Sequence, residues 1–283
     1  MLEKLSPFVR IVRFTNVLMT GFAVFLGIWL AGTLQTALPT VLLMVAGMSA
    51  TGYGNVINDI LDIETDRISH PERPLAKGSM KTRTALFFAI LLTAAALLSS
   101  YLVSLFHWKA TFFPLVILSA YSLYFKRTPV IGNLLVASLV AYALLFGVLP
   151  APEYKILLIP ALLAFLLNFC REIVKDVQDE AGDSNLGYKT TAVINPFLLR
   201  GLLLFSAVVY LSLVFLPSLY QNHFGTVYTA VCLVLVLPLH FYWTILVLKP
   251  DFRIRASRIA SVLKFEMLAG LLALTLDKIV GIQ

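Results

Sequence analysis

The side chains best suited to chemistry sit in two short stretches, Asn58-Asp59-Ile60-Leu61-Asp62-Ile63-Glu64-Thr65-Asp66 and Asp176-Val177-Gln178-Asp179-Glu180-Ala181-Gly182-Asp183. Of fifteen carboxylates, ten lie between Asp59 and Glu72 or between Glu172 and Asp183. Carboxylates this close repel one another and stay ionised only with positive charge among them. If helix runs through both stretches, at about 100° per residue, Asn55, Asn58, Asp59, Asp62 and Asp66 share one stripe and Glu64 points away. Glu172, Asp176, Asp179 and Asp183 share another, with Asn168 close by, although Gly182 could end that helix early. Both stripes offer hard oxygen ligands, and His70 is the only histidine near either. That donor set suits Mg2+ rather than zinc. Mg2+ takes one or two carboxylates and leaves its other positions to water or substrate phosphates. Two facing stripes would therefore hold ions that bridge a diphosphate. Fixed cations follow: Arg73-Pro74-Leu75-Ala76-Lys77-Gly78 after the first stretch, and Lys126-Arg127 after Tyr121 and Tyr124. Such groups can take phosphate oxygens that the metals leave free. A lone D-x-x-D reads more simply as a solvated helix end. Two stripes, each continuing an apolar helix that carries an asparagine, argue for a site.

The elements that must position these residues are membrane helices. The chain has 283 residues, 59% of them hydrophobic and only 13% charged, with a mean hydropathy of +0.89. A soluble domain carries about 25% charged residues. Cys170 and Cys232 both lie in apolar runs, which predicts buried thiols and no disulfide framework. A span needs roughly 20 mostly apolar residues. The chain gives nine: about 14–31, 38–58, 84–105, 110–125, 130–149, 155–175, 196–217, 226–248 and 258–280. The expected fold is thus an all-α polytopic bundle of nine transmembrane helices, one domain over residues 1–283. Pro39, Pro114, Pro129, Pro150, Pro196 and Pro250 punctuate the ends, and Pro160 and Pro238 fall inside spans. The run after Lys4, Arg10 and Arg13 is long for a signal segment and reads as a retained first helix. With the N-terminus inside, 19 of the 22 Lys and Arg fall on the cytoplasmic side, with Lys109, Lys155 and Lys278 outside. Both acidic stretches then lie on the cytoplasmic side of the cell membrane. The net charge of +7 is mostly this topology and calls for no nucleic-acid partner.

Asn58-x-x-x-Asp62-x-x-x-Asp66 resembles the N-x-x-x-D-x-x-x-D motif of the UbiA superfamily of intramembrane prenyltransferases, and Asp179-x-x-x-Asp183 its D-x-x-x-D motif. Arg73-Pro74-Leu75 with Gly78 resembles the element after the first motif, and Arg13-x-x-Asn16 one near the acceptor pocket. The resemblance covers about residues 8–280. It implies a polyprenyl diphosphate substrate bound through Mg2+ by Asn58, Asp62, Asp66, Asp179 and Asp183, with Asp59 and Asp176 in support at the metal site. Lys126 and Arg127 would match the basic pair on the diphosphate. Ionising an allylic C–O bond leaves a carbocation and a diphosphate. Metals and cations stabilise the anion, and a dry aromatic tunnel shields the cation. Arg171-Glu172-Ile173-Val174-Lys175-Asp176 and Gly54-Asn55-Val56-Ile57-Asn58-Asp59 resemble the geranylgeranylglyceryl-phosphate geranylgeranyltransferase branch, which makes ether lipids. There the acceptor is a lipid glycerol bearing a phosphate, which Arg10, Arg13, Arg171 and Lys175 could hold. Other branches prenylate an aromatic acceptor of the 4-hydroxybenzoate or naphthoate type. Leu186-Gly187-Tyr188-Lys189-Thr190-Thr191 does not separate them.

Other classes fit less well. A CDP-alcohol phosphotransferase needs a D-G-x-x-A-R type signature, which is absent. A cation transporter keeps its carboxylates near the midplane, whereas these lie at one surface. A soluble polyprenyl synthase would not have helices this apolar.

Overall fold

The structure, a computed structural model, describes residues 2–33, 36–185, 187, 189–219 and 224–281. The side chain of Lys4, together with Leu186 and Tyr188, lies outside the described residues. All regular structure among the described residues is helical: α1 (Leu2–Ile11), α2 (Phe14–Leu30), α3 (Ala37–Leu61), α4 (Ile63–Ser69), α5 (Thr82–Tyr101), α6 (Leu105–Leu123), α7 (Ile131–Phe146), α8 (Leu158–Asn185), α9 (Pro196–Leu213), α10 (Leu216–Leu219), α11 (Thr226–Val231), α12 (Leu237–Leu248) and α13 (Ala256–Val280). Every expected span has a helix at its position. Six stretches are long and apolar enough to cross a membrane: Ala37–Leu61, Thr82–Tyr101, Pro152–Glu180, Pro196–Leu219, Thr226–Leu248 and Ala256–Val280. Phe14–Leu30 and Ile131–Phe146 are apolar but shorter. Large apolar side chains face outward along these helices, among them Phe87 at 62%, Phe205 at 68% and Val208 at 63% exposure. A soluble monomer does not carry surface of that kind. The protein is an integral, multi-pass membrane protein.

The prolines are placed by their missing N–H. Pro39 and Pro160 fall in the first turns of α3 and α8, and Pro196 opens α9 behind the capping Asn195, where no intrahelical donor is needed. Pro238 is accommodated differently. A π-helical stretch, Cys232–Val236, precedes it and re-registers the hydrogen bonds that proline cannot complete. Pro114 differs from expectation, lying inside α6 rather than at its end. Neighbouring helices make such breaks tolerable in a bundle.

The chain forms two compact units. The first comprises Met1–Arg127, Ala143–Tyr154 and Ala181–Tyr188. Here α3 packs against α2, α5 and α6. With no hydrophobic drive between helices in lipid, close approach and polar ties carry the packing. A Cβ on Gly27 would stand 2.0 Å from the Leu144 carbonyl oxygen, so only glycine fits there. Thr51 donates to Thr20 at 3.0 Å, and the Tyr53 hydroxyl lies 2.6 Å from Ser119 Oγ.

The second unit comprises Thr128–Tyr142, Lys155–Glu180 and Lys189–Gln283. Glu266, in the middle of α13, is fully buried. Its two oxygens meet His240 Nδ1 at 2.8 Å and the Trp243 indole N–H at 2.7 Å. Tyr210 of α9 stacks on His240 with centroids 5.0 Å apart. A carboxylate this deep persists only with its oxygens satisfied, so this cluster pins α9, α12 and α13 together. Cys170 and Cys232 are buried free thiols, as expected.

Candidate active site

In the first unit the acidic stretch is a carboxylate-and-cation cluster. The i to i−4 bonding runs through it, from Asp62 N to Asn58 O at 2.9 Å and from Asp66 N to Asp62 O at 2.8 Å. Asp62 itself leaves helical geometry, at φ −100 and ψ 10, so α3 stops at Leu61 and α4 starts at Ile63. The expected single helix through Asp66 is therefore interrupted at Asp62. Asp59, Asp62 and Asp66 are all buried. Glu64 points away and pairs with Arg67 in solvent, as its place on the helix predicts.

Each buried carboxylate meets a cation from a different part of the chain. Arg13 contacts Asp59 at 2.8 Å and Asn55 at 3.4 Å. Its backbone is left-handed, at φ 52, in the joint between α1 and α2. That costs on the order of 1–3 kcal/mol and turns the guanidinium back onto α3. Arg73, just after α4, contacts Asp66 at 2.6 Å and Asp59 at 3.5 Å. Lys126, in the short turn Phe125–Arg127 after α6, sets its ammonium on Asp62, whose Oδ2 also accepts from Asn58 at 2.6 Å. Burial pushes Asp66 up to about 6. Arg73 pulls it down, and Asp59 and Asp62 add to the rise. Further positive charge at this carboxylate would lower it again.

The far end of α8 joins this unit. The helix does not stop at Gly182 but continues to Asn185, so Glu172, Asp176, Asp179 and Asp183 do share one face of one helix. Gly182 is there for a close approach. A Cβ would stand 2.3 Å from Ser69 Oγ and 3.1 Å from both Cγ2 and the carbonyl oxygen of Thr65, on the helix that carries Asp66. Asp183, beside it, is buried. Gly182→Val should therefore lower stability by about 1–3 kcal/mol and reduce activity by forcing the end of α8 away from α4. Melting and turnover both unchanged in detergent would show that this contact positions nothing.

In the second unit Asp176 is a structural hub. Its Oδ2 accepts from Asn133 Nδ2 at 3.0 Å and from Thr191 N at 3.1 Å. The Thr191 hydroxyl donates to Asn133 Oδ1 and accepts from Val130 N at 2.9 Å. These ties hold Val130, a β-branched residue at φ 68, at the head of α7. Asp179 is half-buried one turn further along α8. Arg171 and Lys175 both engage Glu172, at 3.0 Å and 2.7 Å. Elsewhere, Arg10 donates to the Glu72 carbonyl at 2.9 Å, Arg127 is exposed, and Asn16 is half-buried with its carbonyl accepting from Thr20. Arg253 binds Glu180 at 2.5 Å and the Ala192 carbonyl at 2.9 Å, closing the 189–195 loop onto α8. Asn133, Thr191 and Arg253 were not readable as site supports. A lone asparagine in apolar α7 was the one available signal.

The donors fit a hard divalent ion. They are carboxylate and amide oxygens, the carboxylates buried and paired with Arg and Lys side chains. Among the described residues no three of the His, Cys, Asp and Glu side chains converge into a metal cage. Mg2+ does not need one, because substrate phosphate and water complete its shell.

A profile of the UbiA prenyltransferase family matches residues 20–265. The digeranylgeranylglyceryl phosphate synthase of Methanothermobacter thermautotrophicus is 30% identical over 264 residues, 93% of this chain and 92% of that one. That of Thermococcus gammatolerans is 35% identical over 192 residues, 68% of this chain and 70% of its own. A solved structure described as digeranylgeranylglyceryl phosphate synthase in membranes superposes with a TM-score of 0.77 at 28% identity, covering 98% of this chain and 99% of its own. A UbiA homolog from Archaeoglobus fulgidus bound to GPP and Mg2+ shares the fold, with a TM-score of 0.63 at 19% identity, covering 95% and 99%.

Proposed function

Because the chain belongs to the UbiA prenyltransferase family, we propose that it transfers a geranylgeranyl group from geranylgeranyl diphosphate to geranylgeranylglyceryl phosphate, a step of ether-lipid synthesis. The observation that carries this reading is the pairing of buried Asp62 with Lys126 and of Asp66 with Arg73. Such a set exchanges partners readily. A diphosphate arriving with its metal gives the carboxylates a cation and the basic groups phosphate oxygens. Near-full-length similarity to digeranylgeranylglyceryl phosphate synthases supports the acceptor.

In this reading residues 1–283 act as one catalytic domain. Nine helices span the membrane, with the N-terminus and active site on the cytoplasmic side. Asn58, Asp62, Asp66, Asp179 and Asp183 would hold Mg2+, with Asp59 and Asp176 bracing them. Bound Mg2+ would act as a Lewis acid that offsets charge on the leaving diphosphate. Lys126, Arg127 and Arg73 take diphosphate oxygens. Arg13, held by Asn55 and Asp59 and followed by Asn16, keeps α2 against α3. The apolar helices exclude water, so the allylic cation meets the acceptor hydroxyl first. The prenyl tail enters from lipid.

A panel of acceptors tests this. With radiolabelled geranylgeranyl diphosphate and Mg2+, the purified protein should convert geranylgeranylglyceryl phosphate and leave 4-hydroxybenzoate and dihydroxynaphthoate unchanged, with product masses read out. A prenylated aromatic product would move the protein to a quinone-type reaction. Diphosphate release with no acceptor dependence would defeat the acceptor assignment.

A further inference from the structure

One arginine of the loop between α12 and α13 does more than balance charge across the membrane. Any Lys or Arg in this loop would serve that asymmetry, and Arg255 is satisfied inside the loop by Asp251 at 2.7 Å. Arg253 instead reaches two other segments of the second unit. Its Nη1 donates to Glu180 Oε2 of α8 at 2.5 Å, and its Nη2 donates to the Ala192 carbonyl at 2.9 Å. A planar guanidinium holds two acceptors at a fixed angle, whereas an ammonium offers a point charge. The arm that carries this fork is itself fixed. Phe252 is buried, with the Arg200 guanidinium of α9 over its ring at 4.7 Å. Arg200 also donates to the Lys249 and Pro250 carbonyls at 2.9 and 3.1 Å.

Both acceptors lead to α8. Ala192 follows Thr191, whose N–H donates to Asp176 at 3.1 Å and whose hydroxyl donates to Asn133. The 191–192 segment is therefore tied to α8 at Asp176 and, through Arg253, again at Glu180, one turn on. At about 100° per residue, Asp176, Asp179 and Glu180 fall within about 100° of one another, so the two ties sit beside Asp179 on one side of the helix. One tie alone lets a helix roll about the contact. Two ties a turn apart fix both its rotation and its height. The ion pair is part-exposed, 31% at Arg253 and 37% at Glu180, and such pairs add little to stability. What it holds is orientation. We propose that Arg253 is a positioning residue for the second acidic motif: through Glu180 and the 191–192 segment it sets the orientation of α8 at which Asp179 meets a divalent ion. This rests on the metal role proposed above for Asp179 and adds a residue, 74 positions later in the chain, that governs it.

Two readouts test this, one of them without turnover. The first is the melting temperature of the purified full-length protein in detergent, titrated with Mg2+ at fixed inorganic pyrophosphate. The second is the Mg2+ dependence of prenyl transfer from geranylgeranyl diphosphate to geranylgeranylglyceryl phosphate. Arg253→Gln should raise the half-saturating Mg2+ about tenfold in both, the lower end of what losing a partner behind a metal ligand costs. The melting temperature without metal, kcat at saturating Mg2+ and KM for the acceptor should stay near wild type. Glu180→Gln should shift Mg2+ in the same direction, and the double variant should add little, because the two side chains act as one tie. Arg255→Gln, whose partner lies within its own loop, should behave as wild type. Arg253→Lys, the milder change, keeps the charge on Glu180 without the fork and should recover only part of the loss. Full recovery would reduce Arg253 to a counter-charge and overturn the positioning role. A wild-type Mg2+ dependence in Arg253→Gln, or a fall in kcat and melting temperature with no Mg2+ shift, would overturn it too and leave the reaction standing. Wild-type protein that neither turns over nor gains stability with Mg2+ and pyrophosphate would overturn the metal reading of the proposed function, and the positioning role with it.

Discussion

Asp62→Asn should cut prenyl transfer by about a thousandfold at saturating Mg2+ while the protein still folds and inserts. The substitution keeps shape and removes one negative charge. Asp62 is the carboxylate at the break between α3 and α4, 5% exposed, and its Oδ2 receives both Asn58 and the Lys126 ammonium. Its backbone N–H and carbonyl stay in the helical ladder across the break. The fold therefore asks little of the charge, and Lys126 is long enough to turn its ammonium to water. The reaction asks much more. A diphosphate leaves only if its charge is offset, and a lost metal ligand forfeits several kcal/mol of that offset. Diphosphate release and product formation should fall together, with the melting temperature in detergent close to wild type. A rate near wild type would remove Asp62 from the metal site. Asp59 gives the contrast, because Arg13 and Arg73 both hold it. Its charge ties three segments together, so its loss should show first in stability.

The sequence carried the helices well because their signals are local. Apolar runs, terminal prolines and the imbalance of Lys and Arg depend on residues close in the chain, and a helix stands at every expected position. The α8 stripe was legible for the same reason, as periodicity alone places Glu172, Asp176, Asp179 and Asp183 on one face. The stop at Leu61 was not. No glycine or proline marks Ile60-Leu61-Asp62-Ile63, and the distortion belongs to Asp62, whose partner Lys126 lies 64 positions away. Gly182 misled for a related reason. Glycine beside a helix end usually signals a stop, but here it admits Thr65 and Ser69 of another helix. That need is visible only once α4 is in place.

The buried polar residues were the hardest to read. Asn133 and Thr191 look ordinary in sequence, because a single polar residue in an apolar run has no fixed meaning. Their partners define them. Thr191 ties Asp176 to the head of α7, a contact between residues 15 positions apart that no local pattern announces. Glu266 could have been flagged, since a carboxylate inside a span is a functional or structural site by default. Its role as a clamp on His240 and Trp243 appears only when α12 and α13 are packed.

Lys126→Ala should weaken prenyl-diphosphate binding about 10- to 100-fold and leave acceptor binding nearly unchanged. Lys126 sits in the turn after α6, 19% exposed at its side chain, with its ammonium on Asp62. It resembles the resting half of an exchange. A metal taking Asp62 would release the ammonium, and a phosphate oxygen is then its nearest suitable partner. A charge-assisted hydrogen bond in such a setting contributes about 1.5–3 kcal/mol, which sets the expected range. Lys126→Arg should recover only part of the loss, because a planar fork does not reproduce a point charge on a flexible stem. The measurement is KM for geranylgeranyl diphosphate beside the inhibition constant of inorganic pyrophosphate, which lacks the prenyl tail. Both should rise together, because both report the headgroup. If only the melting temperature fell and neither constant moved, the lysine would be a strut for Asp62, and the anion would have to be held by Arg73 and the metal alone.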